Sequence, residues 1–311
     1  MLSRRSVRIK AMQLLYSKDR DESLSKRDLV KNYDFGINQS YELFLYCLYL
    51  LMEITSSAES DLIKRKSKHL PSDYDKIFSD KLYSNALIQD IVENKELIKK
   101  FEALKFESKF NKDYTQKIYD SFSKKDEYRN YIAAESDDKQ TLEILLELFR
   151  YCRQDELFNE MLEDSYYNWL DDKSLVVGAV KKYLKALPSQ NSKLFADFLP
   201  EDETVQEFGK SLLKSTLEQR DDIMKIVIPI LENWDHERLA IVDTILLQLA
   251  VSEMLNFPTI PPKVSLNEYV ELGKQYSTAK SKEFINGVLD KIMKNLQSEN
   301  KMNKEGRGLI E

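Results

Sequence analysis

At 311 residues, with 42% hydrophobic and 32% charged content, the chain carries enough apolar material for one or two substantial cores and should fold. Only seven Gly and seven Pro in a Lys-, Glu- and Leu-rich composition point to helices with short connections and to no sheet. The formal charge of −6 argues against general attraction to nucleic acid, and two cysteines, Cys47 and Cys152, are too few for a disulfide framework or a zinc site. Two reduced, packed thiols suit a cytoplasmic protein.

The mean charge hides an asymmetry. Residues 1–18 contain Arg4, Arg5, Arg8, Lys10 and Lys18 and no acid, so a +5 start precedes a remainder of −11. A cationic end on an anionic body can grip phosphate locally while the body repels nonspecific nucleic acid. At 100° per residue, Arg4, Arg5 and Arg8 fall within an arc of about 100°, and Val7, Ala11, Leu14 and Leu15 form a separate stripe that can dock the helix. Tyr16 lies near the azimuth of Arg5, about three turns farther on. This start is no signal peptide, because the apolar run is broken by Gln13 and ends at Lys18.

From about Asp19 to Pro200, helical patterns recur over Leu43 to Ile54, Leu82 to Leu104, Thr141 to Phe149 and Ser174 to Leu187, joined by charged connections such as KRKSKH and ESDDKQ. The run LFLYCLYLLMEI, about twelve residues, is too short to cross a bilayer and predicts a buried helix. Fourteen of the seventeen tyrosines fall in this segment, enough for an aromatic core of its own. Trp169 to Val180 faintly echoes Trp234 to Ile245, as WLDDKSLVVGAV against WDHERLAIVDTI.

Beyond residue 200 the signals sharpen. Pro261 and Pro262 stop what precedes them, and Ser265 with Glu268 has the spacing of a capping box at a helix start. Leu266, Tyr269, Val270 and Leu272 supply that helix's apolar stripe, and Gly273 leaves room for another backbone. Ser277 and Thr278 separate it from a second helix carrying Phe284, Val288, Leu289 and Ile292, with Asn286 and Gly287 near its start.

The stretch IPPKVSLNEYVELGKQYSTAKSKEFINGVLDKI, Ile260 to Ile292, resembles the C-terminal hallmark of the NusB family of transcription antitermination factors. The resemblance continues upstream through Trp234, Arg238, Leu239, Val242, Asp243, Ile245, Leu247, Ala250 and Glu253, and reappears at the N-terminus in RRSVRIKAMQLLY, Arg4 to Tyr16. It implies an all-α, NusB-like helical bundle divided as an arginine-rich helix over 1–18, a helical insertion over 19–200, the remainder of the bundle over 201–296, and a polar tail over 297–311. It also implies binding of boxA-type ribosomal RNA leader together with the ribosomal protein NusE, so that RNA polymerase in the elongation complex reads through terminators.

Carried over residue by residue, the resemblance assigns RNA contact to Arg4, Arg5, Arg8, Tyr16, Tyr276, Lys280, Ser281 and Phe284, with the two ends of the chain meeting. Glu237 and Asp243 match its acidic partner-facing side, which suits a basic ribosomal protein. Ile9 and Glu283 depart from the family pattern, the first removing an acid and the second a cation. The competing expectation is a helical interaction scaffold whose RNA site has lapsed.

Nothing points to catalysis, a cofactor, a metal or a membrane. His69 and His236 lack neighbouring ligands at metal-binding spacing, and no phosphate-binding loop or nucleophile elbow is present. Adjacent carboxylates such as Asp171 with Asp172 and Asp221 with Asp222 diverge by about 100° on a helix and cannot readily share a substrate. Some ribosomal RNA methyltransferases carry a similar domain ahead of a catalytic one, but here the motif ends close to Glu311, so no catalytic half is expected.

Overall fold

The computed structural model describes residues 1–231 and 240–309, with Arg307 described by its backbone alone. Among these residues the chain is all-α and contains no strand. Packing divides it into two units: unit 1 holds Asn38–Leu199, and unit 2 holds Leu2–Ile37 with Pro200–Glu311. Helix α1 (Arg4–Arg20) lies in unit 2, and the long helix α2 (Lys26–Lys66) contributes its first part to unit 2 and the rest to unit 1.

Unit 1 is organised by α2. Every residue from Leu43 to Leu51 is buried, so this stretch is covered on all sides, as the continuous apolar run requires. Around it lie α3 (Asp73–Ile77), α4 (Lys81–Ser84), α5 (Ala86–Val92), α6 (Lys95–Ala103), α7 (Lys112–Phe122), α8 (Asp126–Ala133), α9 (Asp138–Cys152), α10 (Glu156–Ser165) and α11 (Trp169–Lys185). Aromatic rings fill the space between them: Phe44 stacks on Phe198 at 4.8 Å, and Tyr46 meets Phe106 at 5.1 Å and Tyr166 at 5.6 Å. Cys47 and Cys152 are buried free thiols, and burial pushes both up from their ordinary pKa.

One expectation of periodicity fails here. Leu82 to Leu104 is not one helix, because Asn85 accepts from the Ile88 N–H and Asn94 from the Leu97 N–H, so each Asn caps a new helix start. The ESDDKQ connection likewise contains a capping box, Asp137 with Gln140, which begins α9 three residues before Thr141.

Unit 2 surrounds one helix. α14 (Ile241–Asn256) is buried without interruption from Ile245 to Met254, and α1, α12 (Ser211–Glu218), α13 (Arg220–Val227), α15 (Pro262–Tyr276) and α16 (Ser281–Ser298) pack on it. A π-helical segment, Glu203–Lys210, precedes α12 and packs on α1. Gly209 makes that contact possible, since a Cβ there would lie 2.7 Å from Val7 Cβ and collide with the Tyr33 hydroxyl. Tyr33 donates to the Val205 carbonyl at 2.9 Å from the same side.

Two local expectations change. α15 starts at Pro262, not at Ser265, because proline at the first helical position gives up an N–H that has no partner there anyway. Ser265 and Glu268 therefore lie inside the helix, and neither caps it. Gly273 makes room for a side chain and not for a backbone, since a Cβ there would strike Ile285 Cδ1. The break at Ser277 and the buried positions of Phe284, Val288, Leu289 and Ile292 agree with the sequence reading. After α16 the chain returns to the α14–α15 turn, where Glu305 N–H donates to Pro258 O and Lys304 Nζ to Phe257 O, each at 3.0 Å.

Candidate nucleic-acid interface

Ser3 caps α1 by accepting the Ser6 N–H, and no acid occupies the first turn. Val7, Ala11 and Leu15 are fully buried and dock the helix, while Leu14 is only half-buried. This docking leaves Arg4 and Arg5 at the edge, each with 43% of its side chain exposed. Arg4 Nη2 donates to Glu203 Oε1 at 3.0 Å and its guanidinium lies 5.4 Å from the Phe208 ring centre. Arg5 Nε stands 3.8 Å from Glu268 Oε2. Pairs this exposed contribute little to stability and exchange readily for another anion.

Arg8 is different in kind. Its side chain is 4% exposed, and its fork grips the fully buried Glu253 bidentately, Nε to Oε2 at 2.8 Å and Nη2 to Oε1 at 2.7 Å. Glu253 also accepts from Ser265 Oγ at 2.8 Å and Tyr269 OH at 2.9 Å, so both carboxylate oxygens receive two hydrogen bonds. Phe208 lies 4.9 Å from the guanidinium. Burial opposes the charge on Arg8, but the hydrogen bonds and charge of Glu253 outweigh it and hold the group above its ordinary range. Burial, then the charge of Glu253, pushes the Tyr269 hydroxyl well up, so it remains a donor.

With its Nε–Nη2 edge taken by Glu253, its Nη1 3.5 Å from Glu268 Oε2 and its side chain buried, this guanidinium has no free fork for a phosphate. Arg8 therefore corrects the expected trio of contacts: it shares their azimuth but lies one turn deeper, where α14 and α15 cover it. Its work is to fix the turn that displays Arg4 and Arg5.

Of the remaining sequence candidates, Tyr16 is exposed and Lys280 is exposed at the start of α16. Arg20 Nε donates to the Tyr16 hydroxyl at 3.2 Å and its guanidinium lies 5.3 Å from the ring centre. Tyr276 is half-buried, whereas Ser281 and Phe284 are buried. Ser281 Oγ donates to Asp243 Oδ2 at 2.9 Å and accepts the Thr278 N–H at 3.1 Å, which ties the α15–α16 turn to the start of α14. Asp243 is thus an interior anchor with 5% exposure and no acidic surface to offer a partner. Glu237 lies outside the described residues. The two expected halves of the surface are anchored apart, Ser281 on Asp243 and Arg8 on Glu253, about 15 Å along α14 at 1.5 Å per residue.

The family model for NusB matches residues 167–294. The chain is 40% identical over 112 residues to "Transcription antitermination protein NusB" of Salinibacter ruber, covering 36% of this chain and 70% of that protein. Its identity to the protein of the same name from Methylacidiphilum infernorum is 41% over 100 residues, 32% of this chain and 70% of the relative. For the Chloroherpeton thalassium protein of that name the values are 36% over 123 residues, 38% and 58%. This chain belongs to the NusB family. No solved structure matches it.

The residues that reasoning from sequence missed are Glu253, Ser265, Glu268 and Tyr269 as a set, with Glu203 and Phe208 from the π-helical segment. A signal for Glu253 was present: it is the one charge in the mostly apolar stretch LLQLAVSEML, and such a buried acid demands a cation, which Arg8 supplies. Among the described residues no group of three or more His, Cys, Asp or Glu could hold a metal ion, and no helix is long and apolar enough to cross a membrane.

Proposed function

We propose that this NusB-family protein is an RNA-binding transcription antitermination factor that takes boxA-type leader RNA together with the ribosomal protein NusE and acts in the elongation complex. The observation that carries the reading is the first turn of α1, where Arg4 and Arg5 stand half-exposed on a backbone fixed by the buried Arg8–Glu253 pair. Two planar forks on a rigid turn lose little freedom on gripping phosphate or stacking on an unpaired base. Tyr16 and Lys280 extend the contact set, Tyr276 contributes its half-exposed edge, and Ser281 and Phe284 shape the turn from within. Glu237 remains a proposed partner contact. Residues 19–200 are the insertion in this reading, with 1–18 and 201–296 forming the bundle; the action is assembly in the cytoplasm, without covalent chemistry.

Titration of fluorescent boxA-type RNA, with and without NusE, tests this. Wild type binds more tightly with the partner present, and Arg4→Ala with Arg5→Ala removes binding and flattens the salt dependence by about 0.7 for each lost phosphate contact to a single strand. Folded wild type that ignores the RNA at every salt concentration, but still binds NusE, would move the function to a protein-interaction scaffold.

A further inference from the structure

The end of α16 builds a groove that the site above does not use. Asn300 takes the left-handed conformation, φ 51°, that asparagine accepts at a helix end, and the Lys301 N–H reaches back to Leu296 O at 3.0 Å. The chain then returns to the α14–α15 turn, where Glu305 N–H and Lys304 Nζ bond the Pro258 and Phe257 carbonyls. Gly308 seats where a Cβ would collide with Pro258 O. Since α15 and α16 pack on each other, this returning segment walls a groove of about 430 Å³ between the start of α15 and the last turns of α16.

The lining has the make-up of a small-ligand site. Pro262, Met293 and Met302 supply apolar surface. Lys263, Lys294 and Lys304 line the groove with one acid, Asp290, so its described lining holds three cations against one anion on a chain of net charge −6. Lys263 is exposed and makes no ion pair among the described residues. Lys294 is exposed too, and after bonding Asp290 at 2.7 Å its ammonium keeps donors to spare. Lys304 is held on the Phe257 carbonyl at 3.0 Å, where burial keeps it down at about 8. The acid that favours its charge, Glu253, is already committed to Arg8, Ser265 and Tyr269, so an anion in the groove would relieve a charge that the fold leaves poorly compensated.

Gln297 and Asn300 complete the lining with amides that can both donate and accept. The volume falls within the range of roughly 300–1,000 Å³ typical of small-ligand sites. Its parts divide as those of a nucleotide do: ammonium groups for phosphate, amides for a base edge, and methionine and proline surface for the flat of a base. Three ammonium groups suit a chain of phosphates better than the single charge of a phosphodiester, which favours a free nucleotide over an internal stretch of RNA.

We propose that this groove binds a free nucleoside di- or triphosphate, with Lys263 and Lys294 on the phosphates, Lys304 adding a fixed positive field, and Gln297 and Asn300 on the base. The site lies wholly within unit 2 and does not rest on the function proposed above.

The test titrates the full chain with fluorescent methylanthraniloyl derivatives of ATP and GTP, then displaces them with unlabelled nucleotide, inorganic tripolyphosphate or a 5′-triphosphorylated RNA oligonucleotide. Wild type should bind saturably, and Lys263→Gln with Lys294→Gln should bind about tenfold more weakly. A control, Lys274→Gln with Lys282→Gln, removes the same charge from the far ends of α15 and α16 and should bind as wild type does; circular dichroism checks the folding of both. Gln297→Ala with Asn300→Gly should lower nucleotide affinity to that of tripolyphosphate, and Arg4→Ala with Arg5→Ala should leave nucleotide binding unchanged. Absence of saturable binding to wild type, or equal losses in the two lysine variants, overturns the proposal. So does displacement by tripolyphosphate as effective as by nucleotide, or displacement by the triphosphorylated RNA alone.

Discussion

At the centre of unit 2 sits a charge: Glu253, without exposed surface, accepts four hydrogen bonds from Arg8, Ser265 and Tyr269. At the same depth in unit 1 there are rings. Some of its buried hydroxyls pair with one another or with nearby backbone, with Tyr119 and Tyr128 3.0 Å apart and Tyr41 donating to Phe195 O at 3.1 Å, while those of Tyr46 and Tyr183 sit among rings without a hydrogen-bond partner, and ion pairs such as Arg65 with Asp61 lie nearer the surface. Ring packing tolerates exchange of shape for shape, whereas a buried ion pair permits one geometry and penalises every other. The difference teaches where precision is invested. In the function proposed above, the unit with the buried ion pair is the one that holds two exposed arginines in register.

The largest effect that could break this comparison comes from splitting the pair. Arg8→Ala strands Glu253 in a dry interior, and a cost of about 3–5 kcal/mol is expected in urea unfolding, enough to remove much of the stability of an ordinary domain. Replacing both partners, Arg8→Met with Glu253→Leu, should recover most of that loss while RNA affinity stays reduced, because the apolar pair no longer fixes the turn carrying Arg4 and Arg5. Full RNA affinity in the refolded double variant would show that the network serves stability alone.

Arg8 also marks the limit of what could be read beforehand. Its azimuth beside Arg4 and Arg5 was legible, but depth along a helix depends on which neighbours cover each turn, and no local pattern records that. Glu268 was misassigned for a related reason: the Ser265–Glu268 spacing fits a cap, but Pro262 had already started the helix, which left Ser265 buried against Glu253 and Glu268 half-exposed beside Arg5 and Arg8. The burial of Leu43 to Leu51 and the break at Ser277 were legible, because a continuous apolar run and a cluster of small polar residues state their outcome locally; Met52 and Glu53, inside the expected run, are only half-buried. Asn85 and Asn94 carried an equally local signal, each a capping residue type directly before a new helical stretch, and helical periodicity concealed it.

A smaller effect sharpens the contrast from the packing side. Gly209→Ala places a methyl against Val7 and the Tyr33 hydroxyl, where the π-helical segment meets α1, and should cost about 1–3 kcal/mol. Asn94→Ala in unit 1 removes only the cap of α6 and should cost about 1 kcal/mol. Both are read from urea midpoints. An Asn94→Ala loss exceeding that of Gly209→Ala would mean that unit 1 is the less forgiving of the two.

The smallest predicted effect concerns pH and the returning C-terminal segment. Burial pushes Lys304, donor to the Phe257 carbonyl, down from an ordinary 10.5 to about 8. The unfolded chain therefore holds this proton up to about 10.5 while the folded chain releases it from about 8, and stability rises with pH wherever the unfolded state binds more protons. Below 8 the penalty for charging Lys304 is complete; between 8 and 10.5 it is relieved. Because the side chain is only half-buried, solvent screening makes the effect modest. Lys304→Met removes the titration, so wild type should gain on the variant steadily as urea midpoints are taken from pH 7.5 to pH 10. A constant gap would mean that this ammonium stays solvated and that the segment is held by the Glu305 N–H to Pro258 bond and the close seating of Gly308.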